Sequence, residues 1–383
     1  MKYCRYCLIP NTKPHVVFDA EGICSACRAH KNKNAAVAGI NWEERRADFE
    51  TLLADIKKKK APLFDVLVPV SGGKDSITQV HRVLGRHLRV LTVNIDYGIK
   101  TEIGHFNLSL IPKMGANLFV YTPAQPLHRR LIRIGFMDFG DPDLLSHTLL
   151  HAMPLRLAIR LEIPLVLLGE NSAFEYGGDI SIAQNPEITH EWFLKFAANN
   201  GRDALNISKT YGIPYSDLIP YDYPVELESS PTKGIFMSHF FHWDSKRHLE
   251  IAQSHGFKSL NLPAEGTFRN YVGIDEKIHR IHQFFKVLKF GYGRATDHAC
   301  EDIRNGRLSR HSAKQIVQKH DLQELGEPFI EAFIEYIDIT RSEFDSVLDQ
   351  YRNTKIWQRD NTDQWFIPGH LVDEVSNDLA EDR

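Results

Sequence analysis

The residues with the most evident chemistry lie together in Val66-Leu67-Val68-Pro69-Val70-Ser71-Gly72-Gly73-Lys74-Asp75-Ser76. Lys74 offers a point cation, and Ser71 and Ser76 offer hydroxyl donors. Gly72 and Gly73 let the backbone approach a ligand with no Cβ in the way. Donors and a cation crowded onto six positions suit a phosphate. Asp75 is out of place in a pure anion site, and its natural work is to hold Mg²⁺ or to fix the loop. The second chemical group is made of thiols. Four of the five cysteines fall within the first 27 residues, as Cys4-x2-Cys7 and Cys24-x2-Cys27 with sixteen residues between the pairs. Two CxxC pairs at this separation match a structural zinc site, and a closed set of four thiolates leaves no open position for catalysis. Two redox pairs or an iron–sulfur cluster are the competing readings. About thirty residues cannot build a stable core alone, so a metal is expected to stabilise this segment.

These groups need elements to hold them. The apolar run from Leu63 to Val70 reads as a buried strand, and Ile77, Val80, Val83 and Leu84 behind the loop fall at helical spacing. Strand, glycine turn and helix in that order aim free N–H groups and the positive end of a helix at one point. This is not the Walker loop, which has four residues between its first Gly and its Gly-Lys. Further strands are predicted from Val90 to Ile95, Leu118 to Tyr121 and Pro164 to Leu168, with a last one from Gly234 to Met237. Helices are predicted from Leu108 to Met114 and from Leu144 to Arg160. This alternation implies a parallel sheet covered on both faces, with ligands beyond the carboxyl ends of its strands. That rule brings the 71–76 loop, Asp96, and Gly169, Glu170 and Asn171 to one cleft. Asp96 would touch ribose, metal or a helix end; Glu170 and Asn171 would hold Mg²⁺ or the acceptor. Glu175-Tyr176-Gly177-Gly178 stands close behind, and 180–222 reads as a long insertion or lid.

The flanks are helical. Phe49, Leu52, Leu53 and Ile56 form the apolar stripe of a linking helix over 35–60, closed by Pro62. Asp275 is placed to cap a helix carrying Ile278, Ile281, Phe284, Phe285 and Leu288, which Gly291 ends. A Gly-rich turn over 290–298 follows, and Arg294, Arg307 and Arg310 are candidates for a pyrophosphate or a sugar carboxylate. Thr340-x-x-Glu343 is a capping box, and Ile356-Trp357 and Trp365-Phe366 are expected to pack the helix it opens. His239, His242, His248 and His255 read as core or surface histidines, Cys300 as a small buried hydrophobe, and the last dozen residues as a frayed end. Four segments result: 1–34 a Cys4 module, 35–62 a linking helix, 63–245 an α/β domain, and 246–383 a mostly helical region. Composition is ordinary, with 43% hydrophobic and 25% charged residues among 383 and a formal net charge of −3. That balance argues against a dedicated nucleic-acid binder. With no long apolar run and no signal-peptide core, the cytoplasm is the expected compartment.

The 71–76 loop resembles the SGGxDS loop of the PP-loop ATP pyrophosphatases, which cleave ATP to AMP and pyrophosphate. Taken with the two cysteine pairs, Gly169-Glu170-Asn171, Glu175-Tyr176-Gly177-Gly178 and the 290–298 turn, the chain resembles the WbpG/PseA-like N-acetyl sugar amidotransferase family. The resemblance implies a PP-loop, Rossmann-like sheet, an N-terminal zinc-ribbon-like module, and ATP, Mg²⁺ and structural Zn²⁺ as ligands. It also implies conversion of an acetamido group to an acetamidino group on a sugar destined for O-antigen or a flagellin glycan. Lys74, Asp75 and Ser71 would be the catalytic residues. Ammonia would come from HisH-like glutaminase and HisF-like cyclase partners, because Met1-Lys2 provides no N-terminal cysteine nucleophile and Cys300 has no glutaminase-like context. A tRNA-thiolating PP-loop enzyme and a non-enzymatic nucleotide-binding scaffold are the alternatives.

Overall fold

Strands form where Val, Leu and Ile run without interruption between polar turns. In the computed structural model, which describes residues 1–33, 39–171, 175, 185–198 and 202–371, these are β1 (Val66–Pro69), β2 (Val90–Ile95), β3 (Asn117–Tyr121), β4 (Leu165–Leu168) and β5 (Lys233–Phe236). All pair in parallel, in the order β3-β2-β1-β4-β5. Alternate residues serve opposite faces, as the pleat requires. Val66, Val68, Leu165 and Leu167 pack with α2 (Trp42–Lys58), α3 (Lys74–Val83) and α9 (Ser245–Ser254). Leu67, Leu91, Val93 and Val166 pack with α6 (Gln125–Phe139) and α7 (Leu144–Arg160). Burial on both sides is why these strands read as continuous apolar runs.

Several boundaries differ from expectation. β1 begins at Val66 because Leu63 is exposed and pairing starts only past Asp65, whose carboxylate holds Arg89 at 2.7 Å. In place of one helix from 108 to 114 there are α4 (Glu102–Leu108), capped by Thr101, and α5 (Leu110–Met114), ended by left-handed Gly115. The linking helix starts at Trp42, where Asn41 Oδ1 accepts two backbone N–H groups. The helix expected to be capped by Asp275 is α10 (Ile278–Phe290), and its first N–H groups go to the neighbouring Glu276, from Ile278 at 2.7 Å and His279 at 2.8 Å. The described part of the expected lid is built into the core: Trp192, Phe193, Ile207 of α8 (Ala204–Tyr211), Leu218 and Tyr221 are all buried with α7. Residues 34–38, Tyr176, Gly177 and Gly178, 180–184 and 199–201 of the expected lid, and the dozen C-terminal residues expected to fray lie outside the described residues.

The C-terminal helices are α10, α11 (Arg294–Arg304), α12 (Arg310–His320), α13 (Glu327–Ile337) and α14 (Arg341–Tyr351). α10, α13 and α14 close over α6 through Phe136, Phe285, Phe333 and Phe344, with ring centroids 5.2–5.4 Å from Phe136. The Thr340–Glu343 capping box is present. Ile356 and Trp357 pack mainly against α10, with Trp357 Nε1 donating to Leu288 O at 3.0 Å; Arg352, just past the end of α14, lies over the rings of Trp357 and Trp365. Among the described residues no helix is long and apolar enough to cross a membrane.

The cysteine module, with α1 (Ser25–Lys33), is seated on the C-terminal region. Leu8, Ile9 and the four buried cysteines share one cluster with Tyr292, Ala299, Cys300, Ile303, Ala313 and Val317. Leu8 N donates to Cys300 Sγ at 3.3 Å, Thr12 Oγ1 to Phe290 O at 2.6 Å, and the buried Arg310 to Cys7 O at 3.1 Å and Cys4 O at 3.3 Å.

Candidate nucleotide-binding active site

A cleft of about 300 Å³ opens beyond the carboxyl ends of β1, β2 and β4. The strand order reverses between β1 and β4, which is where open α/β sheets bind ligands. The loop after β1 is held from within: Ser71 N donates to Ser76 Oγ at 2.9 Å, and Gly73 N to Ser71 Oγ at 3.1 Å. Ser76 is thereby committed to loop shape. Gly72 has φ +93, and a Cβ there would come within 2.9 Å of Leu108 N. Gly72→Ala is expected to cost roughly 1–3 kcal/mol through strain at this one position. It should weaken ATP binding with little change elsewhere, as read by thermal melting and nucleotide titration.

Lys74 is nearly buried, with Nζ 2.7 Å from Asp75 Oδ2. The other Asp75 oxygen accepts a hydrogen bond from His248 Nδ1 at 2.7 Å, and Arg82 Nη2 donates to the far nitrogen of that ring at 3.3 Å. Burial lowers the pKa of His248, so the ring is neutral with its proton on the side facing Asp75. Burial alone would raise Asp75, but Lys74 and His248 outweigh it and hold the carboxyl well below its usual range. With both oxygens engaged, Asp75 is a strut of the loop. His248, expected only as a core or surface histidine, is the pillar behind it. Nothing in its sequence neighbourhood signals that role, because α9 reaches Asp75 across 173 positions.

Glu170, at the end of β4, also lines the cleft; burial raises its pKa, and so does the nearby charge of Asp75. Asp96 lines the cleft at the end of β2, with Oδ1 accepting from Gly98 N at 2.9 Å. Asn171 faces the other way, where its Oδ1 accepts from Trp192 Nε1 at 3.0 Å inside the core. Gly169 contributes its carbonyl to Ser238 N, and Glu175 N donates to Asn171 O at 2.9 Å. Of the three arginines, only Arg294 reaches the cleft. Arg307 is paired with Asp302 at 2.6 Å and Asp244 at 2.8 Å, and Arg310 anchors the cysteine module.

Apart from Arg294, the opposite wall was not legible as a site in the sequence. It comprises 271–276, Asp143 and His147 at the start of α7, His279 on α10, and Arg294 as the first residue of α11. The wall is tied to the sheet domain by a Lys100–Glu276 bridge and by Thr101 N donating to Asp275 O at 3.1 Å. The Tyr271 ring centroid lies 5.8 Å from Lys74 Nζ, so the wall covers the phosphate loop.

The thiols fit a metal. Sγ atoms of Cys4, Cys7, Cys24 and Cys27 all lie within 4.8 Å of one another, and Cys7 Sγ is 3.8 Å from Cys24 Sγ. A tetrahedral zinc site with Zn–S of about 2.3 Å has S···S edges of about 3.8 Å. Backbone N–H groups of Cys7, Ile9, Cys24 and Cys27 point at these sulfurs at 3.2–3.5 Å, which favours thiolate. Of the cleft carboxylates, Glu170 and Asp96 are not spent on bracing the loop and would be the ones to hold Mg²⁺.

Residues 265–368 match the family model described as LPS biosynthesis protein WbpG-like, C-terminal domain. Over this stretch the chain is similar to that domain. No curated protein matches the sequence significantly. Among solved structures, NMN synthetase from Francisella tularensis aligns with a TM-score of 0.34 at 10% identity, covering 80% of this chain and 96% of that one, a likeness too distant to argue from. The WbpG-like segment supplies Tyr271, Asp275, Glu276, His279 and Arg294 to the cleft, facing the phosphate loop of the sheet.

Proposed function

We propose that the protein is an ATP-dependent amidotransferase that adenylates the acetamido group of an N-acetylated sugar and then exchanges the activated oxygen for ammonia, leaving an acetamidino group. The observation that carries this reading is one cleft with an SGGKDS loop on one side and a WbpG-like wall on the other. An amide oxygen is a poor leaving group. Here it attacks the α-phosphorus of ATP, the bond to the outer diphosphate breaks, and pyrophosphate departs. Ammonia adds to the imidate carbon and AMP leaves with the former amide oxygen. The 71–76 backbone and Lys74 grip the outgoing pyrophosphate, and the loop orients the reactants rather than bonding to them. Bound Mg²⁺, held by Glu170 and Asp96, would neutralise phosphate charge.

Glutaminase and cyclase partners would deliver the ammonia, and the product would enter O-antigen or a flagellin glycan. A thiolating role is disfavoured because no cysteine lines the cleft; Cys300 is 1% exposed beneath the cysteine module. The test supplies the purified chain with ATP, ammonium chloride and a panel of N-acetylated sugar acids and nucleotide sugars, following AMP, pyrophosphate and exchange of O for NH by mass. Turnover with ammonium but not with glutamine is expected, unchanged in Cys300→Ser. Pyrophosphate release without nitrogen incorporation, or efficient use of glutamine by the chain alone, would overturn the reading.

A further inference from the structure

The chemistry above leaves unused the titratable group on the wall opposite the phosphate loop. Asp143 is buried, with Oδ2 3.7 Å from Nδ1 of His279 and 3.4 Å from Nε2 of His147. On the other edge of the His279 ring, Arg294 Nη1 sits against Nε2. A guanidinium can only donate, so Nε2 carries the lone pair and the ring proton is on Nδ1, facing the carboxylate. The gap to Asp143 is longer than a hydrogen bond, as is common for catalytic pairs before substrate binds. Arg294 has a donor to spare: its Nε is buried with no hydrogen-bond partner among the described residues.

We propose that His279, oriented by Asp143, is the base that takes a proton from the nitrogen nucleophile, and that Arg294 caps it until an anionic oxygen of the bound reactants draws the guanidinium away. The inference rests on the amidine-forming reading. In the imidate adenylate the sugar-bound nitrogen, its amide proton having left with the pyrophosphate, is doubly bonded to a carbon that also carries methyl and the oxygen of AMP. The lone pair of ammonia forms a bond to that carbon while the C=N π pair moves onto the sugar-bound nitrogen. Nε2 of His279 then removes one proton from the new ammonium group. The pair on the sugar-bound nitrogen re-forms C=N as the C–O bond breaks, its electrons leaving with AMP. The proton on His279 passes to the strongly basic amidine.

The surroundings tune this base. Burial and the charge of Arg294 push His279 down to about 4 against the opposing pull of Asp143, and His282 on the same helix adds to the lowering. Asp275 and Glu276 face the cleft from the segment before α10, and His147 from α7. Departure of Arg294 removes one lowering charge, so the ring gains basicity when the reactants are in place. The base must be unprotonated, so the rate falls as pH drops through its pKa.

The experiment uses the acceptor that the wild-type chain converts in the ammonium assay. In His279→Gln a single-turnover burst of pyrophosphate is expected to survive while amidine formation falls about 10²–10⁴-fold and the acid limb of the pH–rate profile disappears. Asp143→Asn keeps the ring but removes the charge that raises its pKa, so its acid limb should move to lower pH with a smaller loss of rate. That second variant carries the test if the first does not fold by thermal melting. A wild-type rate or an unchanged acid limb in folded variants overturns the assignment, as does loss of the pyrophosphate burst with ATP binding intact. Failure of the wild-type chain to aminate any acceptor instead overturns the reading beneath it.

Discussion

Replacing Lys74 with alanine is expected to lower ATP-dependent pyrophosphate release by at least about 10²–10³-fold, the scale of losing one preorganised charge-stabilising donor. Lys74 begins α3, is buried under Tyr271, and is the loop's own cation. Its removal also strips Asp75 of one of the two groups that hold its carboxyl low. A carboxyl with a depressed folded pKa contributes stability above its unfolded pKa, and that contribution is lost as pH falls through the folded value. The stability cost of Lys74→Ala should therefore be present at neutral pH and fade below about pH 4, the ordinary Asp range. Thermal melts at several pH values, run beside a pyrophosphate assay, check both halves. Pyrophosphate release at the wild-type rate would remove the loop from the chemistry.

Loss of the metal should be as severe by another route. Zinc binding in small Cys4 modules is worth about 10–16 kcal/mol, and a whole domain is stable by only about 5–15 kcal/mol. Chelation or Cys24→Ser is expected to unfold the module, exposing Leu8 and Ile9 and leaving the buried Arg310 without the Cys4 and Cys7 carbonyls. The damage should extend to the C-terminal helices, since Thr12 and Lys13 hold Phe290 and Asp297 on either side of Arg294. Metal analysis should find one zinc per chain, and calorimetry with and without chelator should show a large fall in melting temperature. A brown, iron-containing protein, or a melt insensitive to chelation, would contradict it.

Much of this molecule could be read before folding because its signals are local. Val90 to Ile95 and Leu144 to Arg160 match β2 and α7 to the residue, as each is an unbroken apolar pattern with polar ends. The 71–76 loop was legible as part of the cleft because its residues are contiguous. The wall facing it was not. Asp143, Tyr271 and His279 come from separate stretches, and no periodicity connects them; His248 behind the loop was hidden in the same way. Asn171 shows a subtler failure: it stands beside Glu170, but Trp192, twenty-one positions on, draws its side chain into the core. Arg307 and Arg310 were read as anion ligands from their number beside a Gly-rich turn, while the Asp244 carboxylate and the Cys4 and Cys7 carbonyls that occupy them lie far off in sequence. The aromatic stretch beyond 185 carried its own hint. Trp192, Phe193 and Tyr221 are too apolar to serve as a solvated lid.

The seating of the cysteine module on α11 and α12 has a bearing on biosynthesis. Leu8 and Cys300 are 292 positions apart, so the cysteine module leaves the ribosome long before the surface it binds has been made. Until then Leu8, Ile9 and reduced thiols are exposed, and contacts this distant form late. Early metal capture would quench the thiols during that interval and deliver a preformed knob to a socket built well after it.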